Sequence, residues 1–152
     1  MELGPLPWRE REIAAILPHR APFLFVDRIS ALDPDRLVVG SHTWSTEETR
    51  VGLDRTGHAV PASYLAECMA QIGAVLILSK LENRGRLIYF MGIDRIRFRS
   101  PVRAGETLEV EAVVRRLRSR IGTLDGRARV GGRLVADGAM TFALGDIAAA
   151  SA

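Results

Sequence analysis

Between Gly57 and Gln71 the chain reads GHAVPASYLAECMAQ, and Glu67 is the one carboxylate in a stretch that is otherwise almost wholly apolar. An ionised carboxylate taken out of water must find partners or shift its pKa, so the residue demands a reason. Desolvation raises a carboxyl's pKa and keeps it protonated, which suits a general acid. His58 stands nine residues upstream by subtraction, and a neutral imidazole titrating near working pH suits the matching base. Pro61 is a favoured first-turn residue, so a helix opening there leaves the N–H groups near Ala62 and Ser63 able to meet an oxyanion. Gln71, one turn beyond Glu67 on the same face, is placed to orient the carboxyl. His42, in GSHTW, is the reserve base, although a strand-end histidine also suits packing or a local hydrogen bond.

These groups need elements to hold them. From Pro61 the sequence ASYLAECMAQIGAVLILSKLEN stays apolar for about four turns and then becomes charged, which predicts a central helix over about 61–82 buried on nearly every side. REREIAAI, ended by Leu17-Pro18, predicts a short helix over about 9–17. FLFVDRISAL and RLVVGSHTW, separated by the turn signal DPD, read as two strands, and TEETRVGLDRTGHAV reads as a loop. LIYFMGIDRIRFRSPV, ETLEVEAVVRRLRS, IGTLDGRARVGG and RLVADGAMTFAL give four more strands. The pattern is α+β, an antiparallel sheet wrapped around one helix. Its open edges call for a second copy, so at least a homodimer is expected.

Composition narrows the function. A chain of 152 residues, 47% of them hydrophobic, suits one domain, with the Ala-rich tail at 146–152 disordered. One cysteine, Cys68, inside the apolar segment, reads as a buried structural thiol and not as a sign of an oxidising compartment. The start MELGPLPWREREIAAIL carries charges where a signal peptide needs an apolar core, and no run reaches membrane-spanning length, so a soluble cytoplasmic protein is expected. The net charge of +3 is modest, and the arginine clusters suit a solvated strand face as well as nucleic acid or an acidic protein. Three scattered histidines give no metal-ligand spacing, and no glycine loop cradles a nucleotide, so neither metal nor cofactor is expected.

Three stretches, ILPHRAPFLFVDRI, PASYLAECMAQIGAVL and FMGIDRIRFRSPVRAGETLEVE, together resemble the FabZ-type 3-hydroxyacyl-[acyl carrier protein] dehydratases. The resemblance runs from about residue 9 to about 143 and implies the hotdog fold, with two active sites at a dimer interface. It places Glu67 on the family's helix acid and His19, in LPHR, on a position that holds the turn into the first strand. One departure stands out: the family's catalytic histidine lies in a GHFP motif, and the ungapped register puts Leu53 there, fourteen residues before Glu67. Either the loop is rearranged so that His58 serves, facing Glu67 of a second copy, or the usual histidine is absent.

Three functions follow. The first is a dehydratase acting on acyl chains tethered by phosphopantetheine, in fatty-acid or polyketide-like synthesis. It would be loaded by an acidic acyl carrier protein, or supplied as a CoA thioester, with Arg95, Arg97, Arg99 and Arg103 as the landing site. The second is a hotdog thioesterase in which the carboxylate activates water. The third is a non-catalytic acyl-binding subunit. In each, Tyr64, Leu65, Met69 and Phe90 or their neighbours are expected to wall the acyl tunnel.

Overall fold

The computed structural model describes residues 3–50 and 58–147. Helix α1 (Glu10–Ile16) precedes strands β1 (Arg28–Asp33) and β2 (Leu37–Thr43) and a one-turn helix, α2 (Thr46–Thr49). The long helix α3 (Ala62–Leu78) follows, then a 3₁₀ turn (Leu81–Asn83). Four strands complete the chain: β3 (Arg86–Phe98), β4 (Thr107–Arg118), β5 (Ile121–Val130) and β6 (Arg133–Ile147). All pairings are antiparallel, in the order β1-β2-β4-β5-β6-β3, so β1 and β3 form the edges. This is the expected α+β arrangement, one antiparallel sheet with a helix against it.

Period-two alternation builds the inner face of the sheet. Val38 and His42 of β2, Leu108, Val110 and Ala112 of β4, Leu124 and Ala128 of β5, and Met140 and Phe142 of β6 are all buried beneath α3. The helix returns the same density: every residue from Cys68 to Leu78 is buried. A glycine inside a helix costs about 1 kcal/mol against alanine. At Gly73 the reason is contact, because a Cβ there would lie 2.7 Å from Leu124 Cδ1. At the β5–β6 hairpin, Gly131 and Gly132 take φ of 54° and 81°, the paired left-handed conformation that a tight two-residue turn needs.

Several boundaries differ from the sequence reading, each for a local reason. The central helix runs over Ala62–Leu78 and not to residue 82. It stops because Asn83 Nδ2 donates to the Ile77 carbonyl at 2.9 Å, capping the end just where the sequence turns polar. The first helix is two residues shorter than expected, Glu10–Ile16. Residues 23–27 are not strand: the Phe25 N–H donates to the Gln71 side chain instead of to a neighbouring strand. The expected loop after β2 begins with α2, signalled by a capping box in which Ser45 and Glu48 bond reciprocally. The tail expected to be disordered from 146 is ordered for its first two residues, since β6 reaches Ile147, opposite Arg86, and Arg120 holds Asp146 at 2.8 Å.

The close approach at Gly73 yields a test. Gly73→Val forces a branched side chain against Leu124 and should cost about 2 kcal/mol or more, measured by urea unfolding. Stability equal to that of the parent would mean that α3 and β5 are not in contact there.

Candidate active site

Glu67 sits on one stripe of α3 with Gln71, Ala74 and Leu78, spaced by four, three and four residues. That stripe lines a cavity of about 190 Å³, closed on one side by Leu87, Ile88 and Phe90 of β3 and on the other by Leu17, Pro18 and His19. The walls are mostly apolar, and among the described residues the two ionisable groups are Glu67 and His19. The Glu67 side chain is 44% exposed, so apolar residues surround the carboxylate without sealing it, short of the full burial that its setting suggests.

Gln71 fixes this carboxyl from below. The amide is 1% exposed and its polar atoms are used: Oε1 accepts the Phe25 N–H at 2.7 Å, while Nε2 donates to Phe23 O at 2.8 Å and to Glu67 Oε1 at 2.9 Å. Gln71, expected to orient Glu67, donates a hydrogen bond to it directly. One turn of helix supplies both groups, since i and i+4 are neighbours on its surface.

The three histidines fall in three environments. His42 is 4% exposed, with its ring between Phe25 and Trp44, and its Nδ1 lies 2.8 Å from Asp27 Oδ1. Burial raises the Asp27 carboxyl, but the hydrogen bond and charge of His42 and the Thr43 N–H outweigh it and hold the group below its usual range. The reserve base is thus packed and hydrogen-bonded, with Nε2 also buried. His58 is exposed at the lead-in to α3, where its carbonyl accepts the Ala104 N–H at 3.0 Å and the next residue, Ala59, bridges to Arg103. Within one chain the imidazole beside Glu67 is His19, with Nε2 3.5 Å from Oε1. Leu53 lies outside the described residues.

Other expected groups are distributed as follows. Ala62 and Ser63 form the exposed first turn of α3, which opens after Pro61 with no side-chain cap over its N–H groups. Of the expected tunnel walls, Phe90 lines the cavity, whereas Leu65 and Met69 face the core and Tyr64 packs on Phe25 with ring centroids 4.7 Å apart. The seven-residue stripe arithmetic from Glu67 to Ala74 carries the signal for the actual wall. Arg95 and Arg97 line a separate trough of about 720 Å³ on the sheet face away from α3, with Arg115, Arg116 and Arg127. Arg99 Nε donates to Asp137 at 2.6 Å and lowers that carboxyl, and Arg103 sits in the turn before β4, where its N–H donates to Glu106. Cys68 is buried and free, and burial pushes its thiol up, which makes it inert packing.

A FabA-like domain matches residues 17–139. The chain is 41% identical over 137 residues to a 3-hydroxyacyl-[acyl-carrier-protein] dehydratase FabZ of Bacillus velezensis, covering 90% of this chain and 97% of the relative. It is 43% identical over 135 residues to the FabZ of a Roseiflexus species, covering 88% and 94%. Among solved structures, the dehydratase heterocomplex ApeI:P from Xenorhabdus doucetiae superimposes with a TM-score of 0.76 at 20% identity, covering 92% of this chain and 91% of the other. A hypothetical thioesterase with coenzyme A from Streptococcus pneumoniae superimposes at 0.60 with 15% identity, covering 76% and 83%. These structural likenesses establish the fold.

Gln71 is the point at which fold and site meet. Gln71→Leu leaves the buried Phe25 N–H without an acceptor and should cost about 2 kcal/mol, as well as loosening Glu67. A melting temperature equal to that of the parent would contradict the hydrogen bonds described.

Proposed function

Because the chain belongs to the FabA-like family, among the FabZ-type 3-hydroxyacyl-[acyl-carrier-protein] dehydratases, we propose that it eliminates water from 3-hydroxyacyl thioesters, as a lyase of one hotdog domain. The substrate is carried on acyl carrier protein, in fatty-acid or polyketide-like synthesis in the cytoplasm. The observation that carries this reading is Glu67, held by Gln71 at an apolar cavity of about 190 Å³.

The reaction needs only proton transfers. A base takes the proton from C2, the C2=C3 double bond forms, the C3–O bond breaks, and the Glu67 carboxyl gives its proton to the departing hydroxyl, which leaves as water. The first-turn N–H groups of Ala62 and Ser63 meet the thioester oxygen as charge builds on it. The phosphopantetheine arm belongs to the substrate, and the residues call for no other cofactor.

The base is assigned to His58 of a second copy, facing Glu67 across the interface of a homodimer. In support, β3 is an edge strand that exposes Tyr89, Met91 and Ile93 in alternation, an apolar row that a second copy would cover. An acidic carrier is drawn to Arg95, Arg97, Arg99 and Arg103, three of them at or beside the trough on the outer sheet face.

One observation favours a second reading. In the ungapped register Leu53 falls at the family's histidine position, which suits a subunit that binds the acyl chain and takes its base from a different partner. A related fold does occur in a dehydratase heterocomplex.

Two substitutions test the first reading on a 3-hydroxybutyryl carrier thioester. Glu67→Gln should keep the fold and lower turnover by about 10²-fold or more, the scale of a positioned general acid. Unchanged turnover would remove Glu67 from the chemistry, and release of free thiol would identify a thioesterase. His58→Ala should remove most activity at an unchanged melting temperature, whereas His42→Ala should lower the melting temperature by stripping Asp27 of its partner. Binding without conversion by the unmodified protein would establish the second reading.

A further inference from the structure

His19 belongs to the same cavity as Glu67, and its Nε2 stands 3.5 Å from Glu67 Oε1. The other ring nitrogen, Nδ1, is buried with no hydrogen-bond partner. A doubly protonated ring would bury an N–H with no acceptor, which is unfavourable. The neutral tautomer with its proton on Nε2 avoids that penalty and aims a donor at the carboxyl.

Gln71 already donates to the same oxygen at 2.9 Å. It is held in that orientation by Phe23 O and the Phe25 N–H, so the amide has no alternative rotamer that keeps its bonds. Oε1 therefore faces two donors and has no place for a proton of its own. When the acid is protonated, the proton sits on Oε2, the oxygen left to the cavity.

We propose that His19 is a positioning residue for the elimination: with Gln71 it fixes Oε1 of Glu67 as the acceptor oxygen and so presents the acid proton on Oε2 to the substrate hydroxyl. The inference rests on the dehydratase reading and supplies what that reading leaves open, the orientation of the acid. The contact at 3.5 Å is long for a hydrogen bond, and catalytic hydrogen bonds commonly tighten only in the substrate complex. Once Oε2 has given its proton to the leaving hydroxyl, the two donors on Oε1 stabilise the carboxylate that remains.

Long-range proton–nitrogen NMR of the full chain at neutral pH reads the proton on His19 directly, whether or not the chain turns over. A proton on Nε2 and none on Nδ1 supports the proposal, and a ring protonated on Nδ1 overturns it. In turnover, His19→Ala should lower kcat about tenfold with KM within about twofold, and His19→Gln, whose amide restores a donor, should recover most of the loss. Equal kcat for His19→Ala and the parent, or no recovery with His19→Gln, would refute the role of His19. If Glu67→Gln abolishes turnover while His19→Ala does not lower it, this inference alone fails. If Glu67→Gln turns over normally, the dehydratase chemistry at Glu67 fails, and the NMR result still decides the contact.

Discussion

The buried Gln71 amide is the interaction on which the rest depends. It joins α3 to the segment before β1 through Phe23 O and the Phe25 N–H, and it ends at Glu67. Because a buried amide left unpaired is costly, the three bonds stand or fall together. Residues 23–26 give up sheet pairing to make them, which brings Phe25 against Tyr64, His42 and Trp44. The wall of the cavity and the orientation of its carboxyl thus share one fastening.

The sheet imposes the complementary constraint. A helix buried from Cys68 to Leu78 leaves little polar surface on its own, so its polar, water-accessible groups gather in its first turns, where Ala62 and Ser63 are exposed and Glu67 still reaches water. Further along, contact as close as that at Gly73 excludes any side chain that could ionise. Glu67 thus stands where the exposed start of α3 passes into its buried length, at the head of the stripe that lines the cavity.

Much of this was readable from residue order, and the unread part has a consistent cause. The apolar run fixed the existence of α3, alternation fixed the strands, and a lone carboxylate in an apolar run marked Glu67 before any contact was known. What stayed hidden depended on side chains meeting from distant segments. His19 precedes Glu67 by forty-eight residues, and Asp27 precedes His42 by fifteen, so neither partnership leaves a local pattern. Residues 23–27 look like strand because Phe, Leu and Val favour one, and a single tertiary hydrogen bond to Gln71 overrides that preference.

The three histidines show how a shared residue type is given different work by its second nitrogen and its surroundings. In His42, Nδ1 is committed to Asp27 and the ring is enclosed, so it stiffens the wall behind Phe25. In His19, Nδ1 is buried with no hydrogen-bond partner while Nε2 faces Glu67 at 3.5 Å. His58 alone of the three is exposed, in a segment fixed by its backbone pairing to the turn before β4. In the proposed elimination, enclosure keeps His42 from the C2 proton, and the donor role proposed for His19 toward Glu67 keeps that ring from it. The proposed elimination therefore assigns the acceptor to His58 of a second copy, which would make the site a shared property of two chains.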